Sequence, residues 1–403
     1  NKLNKVVKQI DQISVSRLYD FLDASIETEI IEDDKLDITF EVKESEKFYV
    51  KRVNVIGNNI TEERVIRDML EVDEGDPFNK LLHAKSINNL KSKNIFQKVS
   101  SEIVDTPDAN LKNIDITVEE KATGEILVGA GVGSEGGTAQ FSISENNFLG
   151  KGIKLSTGLR LSAERVRGNF TVTNPNFNYL EKSLTTDFFV TDTDKMTDSG
   201  YKSTNAGFSF GTAFEQYDDF FFRPTFRTVY EELTTTSLAS SNLKKQEGSY
   251  FTSEIGYSFD LDKRNQRFQT SDGFQSKFTQ TIPVISESDT LLNGYQFDTY
   301  HSYNDITASL GLYLRAVTGL SDDVRVSERI SLPRKRLRGF ESGKIGPVDS
   351  NDFIGGNYAA ALNFQSNLPF LFPSFQSVDF NYFIDAGNVW GVDYSNSVGD
   401  SSH

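Results

Sequence analysis

The chain has 403 residues, 58 acids against 42 Lys plus Arg, a formal net charge of −16, three histidines and no cysteine. No cysteine means no thiolate catalysis, no disulfide and no cysteine metal site, and histidines only at 83, 301 and 403 argue against a histidine metal centre or a histidine-based triad. The acidic balance speaks against nucleic acid, whose binders carry a basic field.

A chain this long has room for two or more domains. It starts at Asn1 in what reads as mid-domain, so the expectation is truncation at both ends, and the lack of a signal peptide carries little information. A helix is expected from Leu3 to about Leu22, followed by two strands, the second being "LDITFEV" at Leu36–Val42. The strand "FYVKRVNVIGN" comes next, with Val53 and Val55 alternating up to Gly57-Asn58. In "NITEERVIRDML", Thr61 reads as the N-cap, with Glu62 and Glu63 in the first turn at the positive helix end. Val65, Ile66, Met69 and Leu70 would share one helical face. A second helix is expected over Asn79–Lys93, burying Leu82, Ile87 and Leu90, and then two alternating strands, "QKVSSEIV" and "NIDITVEE". The order strand, helix, helix, strand, strand is a small α+β domain. "LDITFEV" returns as "IDITVEE" at Ile114–Glu120, the offset that tandem copies of one small domain would leave. The boundaries read as 1–46 for the C-terminal part of one copy, 47–121 for the next, and 122–403 for a different architecture.

From Gly124 the helix signals stop. About 13 alternating stretches follow, from "GEILVGAGVGS" to "SVDFNYFIDAGNVW", separated by polar or glycine-bearing turns. The chain holds 32 Phe and 15 Tyr against one Trp, yet has no apolar run of 18 residues, so its hydrophobicity is hidden in period two. An antiparallel transmembrane β-barrel has this character, alternate residues facing lipid and a wet lumen. A large soluble β-sandwich is the competing fold, disfavoured by short loops and uniform strands. Thirteen is an odd count where single-chain bacterial barrels close on even numbers, and the tail "YSNSVGDSSH" is loop-like, so the last strands are expected to be missing.

One loop departs from the acidic whole. "SLPRKRLRGFESGKIGP", Ser331–Pro347, carries Arg334, Lys335, Arg336, Arg338 and Lys344 against Glu341 alone. Within it, Leu337-Arg338-Gly339-Phe340 resembles the Val/Leu-Arg-Gly-Phe motif of the outer-membrane assembly factor superfamily, the BamA-like proteins. "GGN" at Gly355–Asn357 and "FIDAGNVW" at Phe383–Trp390 follow in that family's order. "TNPNF", "DLDKRNQRFQTSDGF", "NNFLGKG" and "EEKATG" also resemble family segments. The small α+β domains resemble POTRA domains, the periplasmic modules that precede this barrel. The resemblance covers nearly the whole chain.

The resemblance implies a 16-stranded barrel in the full protein, with Arg338 in the loop between strands 11 and 12, folded back into the lumen to meet the aspartate of the later F-x-D-x-G strand, here Asp385. Alternation supports the geometry independently: Val378, Phe380, Tyr382, Ile384 and Ala386 share one face, while Asp379, Asn381 and Asp385 share the other. A lipid-facing cation near midplane would cost about 2–4 kcal/mol, an acid less, whereas an inward pair gives a charge-assisted, forked contact. Gly339 is expected to let the backbone turn and Phe340 to supply an apolar anchor. Where the family commonly carries a second inward glutamate this chain has Gln365, inward by alternation with Asn357 and Asn363. Arg334, Lys335 and Arg336 receive no assignment.

Blander readings stand beside these. Alone, "PRKRLRG" is a solvated basic loop or a nucleic-acid patch. "VGAGVGS" at Val128–Ser134 lacks the third glycine of a dinucleotide turn. "DTDKMTD" at Asp192–Asp198 lacks the glycine and terminal glutamate of a calcium loop. No catalytic dyad emerges, and neither an enzyme nor a cofactor is expected.

The resemblance implies a factor that folds and inserts β-barrel proteins into the bacterial outer membrane, with POTRA domains in the periplasm. Its partners would be unfolded outer-membrane barrels, the lipoproteins of an assembly complex and the lipid bilayer. The lever would be the first strand, Gly124–Ser134, whose Ile126, Val128, Gly129, Gly131 and Gly133 would line a weak lateral seam. Glycine weakens a strand interior, and an opened seam offers unpaired backbone groups to an incoming strand. The rival readings are a two-partner-secretion or TamA-like translocation barrel and, outside the superfamily, a passive porin.

Overall fold

This computed structural model describes residues 22–31, 35–44, 48–133, 136–177, 182–267, 270–287, 289–304, 306–341, 343–350, 352–368 and 380–393. The helix expected from Leu3 falls outside these residues up to Leu22, which opens a strand. Contacts divide the chain into two units, Asn1–Glu125 with Glu145–Lys154, and Ile126–Ser144 with Leu155–His403.

The first unit opens with an antiparallel pair, β1 (Leu22–Ile31) and β2 (Lys35–Glu44). The elements β3 (Tyr49–Ile56), α1 (Glu63–Arg67), α2 (Lys80–Ser92), β4 (Phe96–Asp105) and β5 (Leu111–Glu120) follow. They build a sheet of order β3-β5-β4, with β3 parallel and β4 antiparallel to β5. Parallel neighbours need a crossover connection, which the two helices supply. The central strand turns Ile114, Ile116 and Val118 inward onto Val50, Val53, Ile66 and Leu90, all in one buried cluster.

Thr61 does not cap the first helix. The N-cap is Glu62, which makes no side-chain cap hydrogen bond, and the helix spans five residues. Thr61 is 1% exposed and turned to a distant carboxylate: its N–H donates to Glu120 Oε1 at 2.9 Å and its hydroxyl to Oε2 at 3.0 Å. A charged acceptor outcompetes the local cap because it satisfies both donors at once. Met69 and Leu70 lie beyond the helix end yet pack against the core.

The sheet of the second unit begins with β6 (Gly124–Gly133), β7 (Gly136–Phe148), β8 (Ile153–Leu161) and β9 (Arg165–Asn174). It continues through β10 (Ser183–Lys195), β11 (Tyr201–Tyr217) and β12 (Phe220–Thr235). A short helix, α3 (Ser241–Lys245), precedes β13 (Gly248–Asp262), β14 (Gly273–Ser286), β15 (Thr290–Tyr303) and β16 (Ile306–Gly319). The loop after β16 holds the two-residue strands β17 (Val348–Asp349) and β18 (Asp352–Phe353), and β19 (Tyr358–Asn367) and β20 (Asn381–Trp390) complete the set. Among the described residues thirteen strands pair in the order β20-β19-β16-β15-β14-β13-β12-β11-β10-β9-β8-β7-β6, a meander that skips the loop hairpin. This is the antiparallel barrel sheet expected from alternation, with the expected strand count.

One face is apolar and open: Phe170, Phe188, Phe208, Phe210, Leu310 and Phe364 are each more than a third exposed. Cross-strand aromatic pairs run along the sheet, including Phe210–Phe226 with ring centroids 5.2 Å apart. A continuous apolar face of this size is a lipid-facing surface. The other face is polar, with Ser203, Thr252, Ser258 and Asp260 buried. The loop between β16 and β19 folds onto this inner face. Its Ile330, Leu332, Leu337 and Ile345 form a buried cluster with Val317, Ala359, Ala361 and Val389. Small residues make the floor: a Cβ on Gly387 would stand 3.0 Å from Leu332 Cδ1 and 3.1 Å from Ala361 Cβ.

Candidate functional site

The loop carries its cations through a short 3-10 turn, Arg334–Arg336, entered from Pro333 and closed by the Arg336 N–H donating to the Pro333 carbonyl at 2.8 Å. Leu337 then extends and is buried, so the side chains of Arg336 and Arg338 are set on either side of an apolar pin.

Arg338 meets Asp385 on β20. Its Nε donates to Oδ2 and its Nη2 to Oδ1, both at 2.7 Å, and its backbone N–H adds a third bond to Oδ2 at 3.0 Å. The fork geometry of a guanidinium on a carboxylate gives direction as well as energy. The Asp385 side chain is 2% exposed and Arg338 30%. Arg338 Nη1 donates to Gln365 Oε1 at 2.6 Å, and the guanidinium lies 3.9 Å from the centroid of the Phe383 ring. Hydrogen bonding to Asp385 pushes the Arg338 pKa further above its ordinary value. Asn363 Nδ2 donates to Asp385 Oδ1 at 2.8 Å and so orients the carboxylate.

Arg336, left without a role by the sequence, is buried and forked onto Asp298 of β15, Nη1 to Oδ1 at 2.9 Å and Nη2 to Oδ2 at 3.1 Å. Its Nη1 also reaches Asn363 Oδ1 at 3.3 Å, and its carbonyl accepts from Asn363 Nδ2 at 2.9 Å. The inward parity of Asp298, shared with Gln296 and Tyr300, is a signal the sequence holds; its partner is not, because only the folded-back loop supplies it. Phe383 has the parity of Asp385, and the same alternation marks it as inward.

The remaining motif residues divide. Gly339 has φ +87°, a left-handed conformation, while nothing lies within 4 Å of where its Cβ would be. The glycine therefore serves backbone conformation, not clearance. Phe340 is 54% exposed and is not the apolar anchor; Leu337, 6% exposed, fills that place. The guanidinium groups of Arg336 and Arg338 border a polar cavity of about 360 Å³, with Lys335, Arg264, Gln296 and Tyr300 also on its wall.

The first strand lies at the far edge of the same sheet. Ile126, Val128 and Val132 are 71%, 76% and 91% exposed, and no residue from Gly124 to Val132 is buried. A Cβ on Gly129 would meet nothing within 4 Å, and one on Gly131 only Thr138 Oγ1 at 3.6 Å. Gly133 closes the strand. Arg338, Asp385 and Gln365 are thus brought together, and the β6 residues stand apart from them on another edge. Among the described residues no three His, Cys, Asp or Glu converge as a metal site.

Residues 147–402 match the Omp85 superfamily domain, and residues 48–121 match the POTRA family described as a surface antigen variable number repeat. The chain is 24% identical over 379 residues to the outer membrane protein assembly factor BamA of Neorickettsia risticii, covering 92% of this chain and 51% of that protein. It is 24% identical over 389 residues to BamA of Nitratidesulfovibrio vulgaris, covering 91% of this chain and 48% of that one. The chain therefore spans about half the length of these relatives. In fold it is similar to Haemophilus ducreyi BamA lacking POTRA domains 1–3, with TM-score 0.71 and 20% identity over 97% of this chain and 81% of that one. CdiB of Escherichia coli is also similar, with TM-score 0.56 and 14% identity over 96% and 73% of the two chains.

Proposed function

We propose, from the premise that this chain belongs to the Omp85 superfamily, that it folds and inserts β-barrel proteins into the bacterial outer membrane through a lateral seam of its own barrel. Its small α+β domain lies in the periplasm and would receive unfolded barrels there, beside lipoproteins of an assembly complex. No bond in the substrate is made or broken. The work is strand pairing and burial of apolar surface in lipid.

The observation that carries this reading is an asymmetry within one sheet. Strands β15 to β20 are bound by a loop through Arg336, Arg338 and the apolar cluster around Leu337. Strand β6, by contrast, carries glycines at 129, 131 and 133. Glycine in a strand costs about 0.5–1 kcal/mol each relative to alanine, so pairing at this edge is the weak one. A weak edge that opens presents backbone N–H and C=O groups as a template.

The test is reconstitution of the intact protein into liposomes, followed by addition of an unrelated, urea-unfolded barrel protein. Faster acquisition of its protease-resistant membrane form is expected. Steady ion conductance without any such acceleration would leave a porin, and transport of one cognate soluble protein alone would leave an exporter.

A further inference from the structure

We propose that Arg336 and Asp298 are a second positioning pair of this loop, beside Arg338 and Asp385, and that the two pairs together lock strands β15 to β20 into one block against which the β6 edge moves. The geometry stands by itself; the consequence for insertion rests on the assembly-factor reading.

Four residues lie in one register row across the sheet. Asp298 of β15 pairs with Gly311 of β16, Gly311 with Asn363 of β19, and Asn363 with Asp385 of β20. Arg336 and Arg338, two residues apart, reach the two ends of that row. Adjacent strands are about 4.8 Å apart, so the two carboxylates are spread over roughly 14 Å of sheet. A loop held at one point swivels about it; a loop held at both ends of such a row does not.

Gly311 is what admits Arg336. A Cβ there would stand 2.6 Å from Asp298 Oδ1 and 2.8 Å from Arg336 Nη1. The strand thus gives up side-chain packing at the one place where the guanidinium lies over it. Asn363 joins the two pairs, bonding Arg336 through its side-chain oxygen and Asp385 through its amide.

Charge accounts for the second pair. Gln365 brings Arg338 a hydrogen bond but no charge. Among the described residues the guanidinium groups of Arg336 and Arg338 are each matched by one carboxylate. Arg336 is nine-tenths buried and its Nε has no hydrogen-bond partner among the described residues. Buried ion pairs are often no more stabilising than apolar residues of the same volume, so a buried arginine spanning to another strand is better explained by placement than by stability.

The chain has no cysteine, so Lys335→Cys, exposed and adjacent to Arg336, takes a single nitroxide label. The intact protein is reconstituted in liposomes, and label mobility, heat-modifiable barrel migration and insertion of an unfolded barrel are measured. Asp298→Asn and Gly311→Ala, the latter keeping both charges, should each mobilise the label, keep the barrel migration and slow insertion at least threefold. The exchange Arg336→Asp with Asp298→Arg should restore label immobility and most of the insertion rate. An immobile label in both single variants overturns the pair. So does failure of the exchange to recover either readout, and loss of barrel migration in both single variants would make the pair a folding element instead. Wild-type protein that inserts nothing would overturn the function, while the label still decides the pair.

Discussion

Gln365 Oε1 accepts a 2.6 Å hydrogen bond from Arg338 Nη1, so the uncharged side chain occupies the third corner of the Arg338–Asp385 fork. Among the described residues Arg338 has one carboxylate, and losing it strands a cation on the inner face. Asp385→Asn should cost about 1–3 kcal/mol of barrel stability, read as a lower denaturant midpoint of heat-modifiable migration. Gln365→Glu supplies a carboxylate at the same corner and should recover at least half of that loss in the double variant. An additive double-mutant cycle would show that Gln365 and Asp385 do not share the guanidinium.

Reversal of both charges tests the pair itself. Asp385→Arg alone places a second cation against Arg338 and should abolish insertion activity in liposomes. Adding Arg338→Asp should restore part of it, because the fork is rebuilt in the opposite sense, although the backbone N–H of residue 338 then loses its acceptor. No recovery at all would mean the contact is incidental.

Alternation made half of this arrangement legible. Period two counts the thirteen strands and separates Asn363, Gln365 and Asp385 from Tyr358, Leu362, Phe364 and Ile384, because a residue's face in a strand depends only on its parity. Parity also marks Asp298 and Phe383 as inward, but says nothing of what meets them. Arg336 finds Asp298 through a loop that refolds over Gly311, and no local pattern encodes that path. Thr61 shows the same limit in the small domain: a threonine ahead of two glutamates reads as a cap, and it is Glu120, 59 residues away, that claims it.

Glu120 is therefore expected to be a stability residue of the first unit. Its Oε1 accepts from the N–H groups of Thr61 and Ile60, and its Oε2 from the Thr61 hydroxyl. Glu120→Ala leaves buried donors unsatisfied and should destabilise this unit by about 2–3 kcal/mol. Hydrogen exchange of α1 and β5 amides would register it, with β15 to β20 protection unchanged.

The first unit should also weaken in mild acid. His83 is half-buried, with Nε2 2.9 Å from Ser101 Oγ and its ring 5.6 Å from that of Phe78. Burial lowers its pKa below the ordinary 6.5. As pH falls, the unfolded chain takes up this proton first, so stability present above about 6.5 declines below it and levels off once the folded ring also protonates. His83→Gln should flatten that dependence. Hydrogen exchange is the suitable measurement, since the sole tryptophan, Trp390, lies in β20 and does not report on this unit.

The glycines of β6 offer the sharpest separation of stability from activity. Valine at 129 meets no neighbour within 4 Å of its Cβ, and at 131 only a hydroxyl at van der Waals distance, so neither replacement clashes. β-branched residues suit a strand, and each loses less backbone entropy on pairing than glycine does. Gly129→Val with Gly131→Val should therefore stabilise the barrel by about 1–2 kcal/mol for the two together, read as a higher denaturant midpoint. If the β6 edge must open to accept an incoming strand, the same variant should insert barrels several-fold more slowly while its own barrel becomes harder to unfold. A variant both more stable and equally active would remove edge weakness from the mechanism.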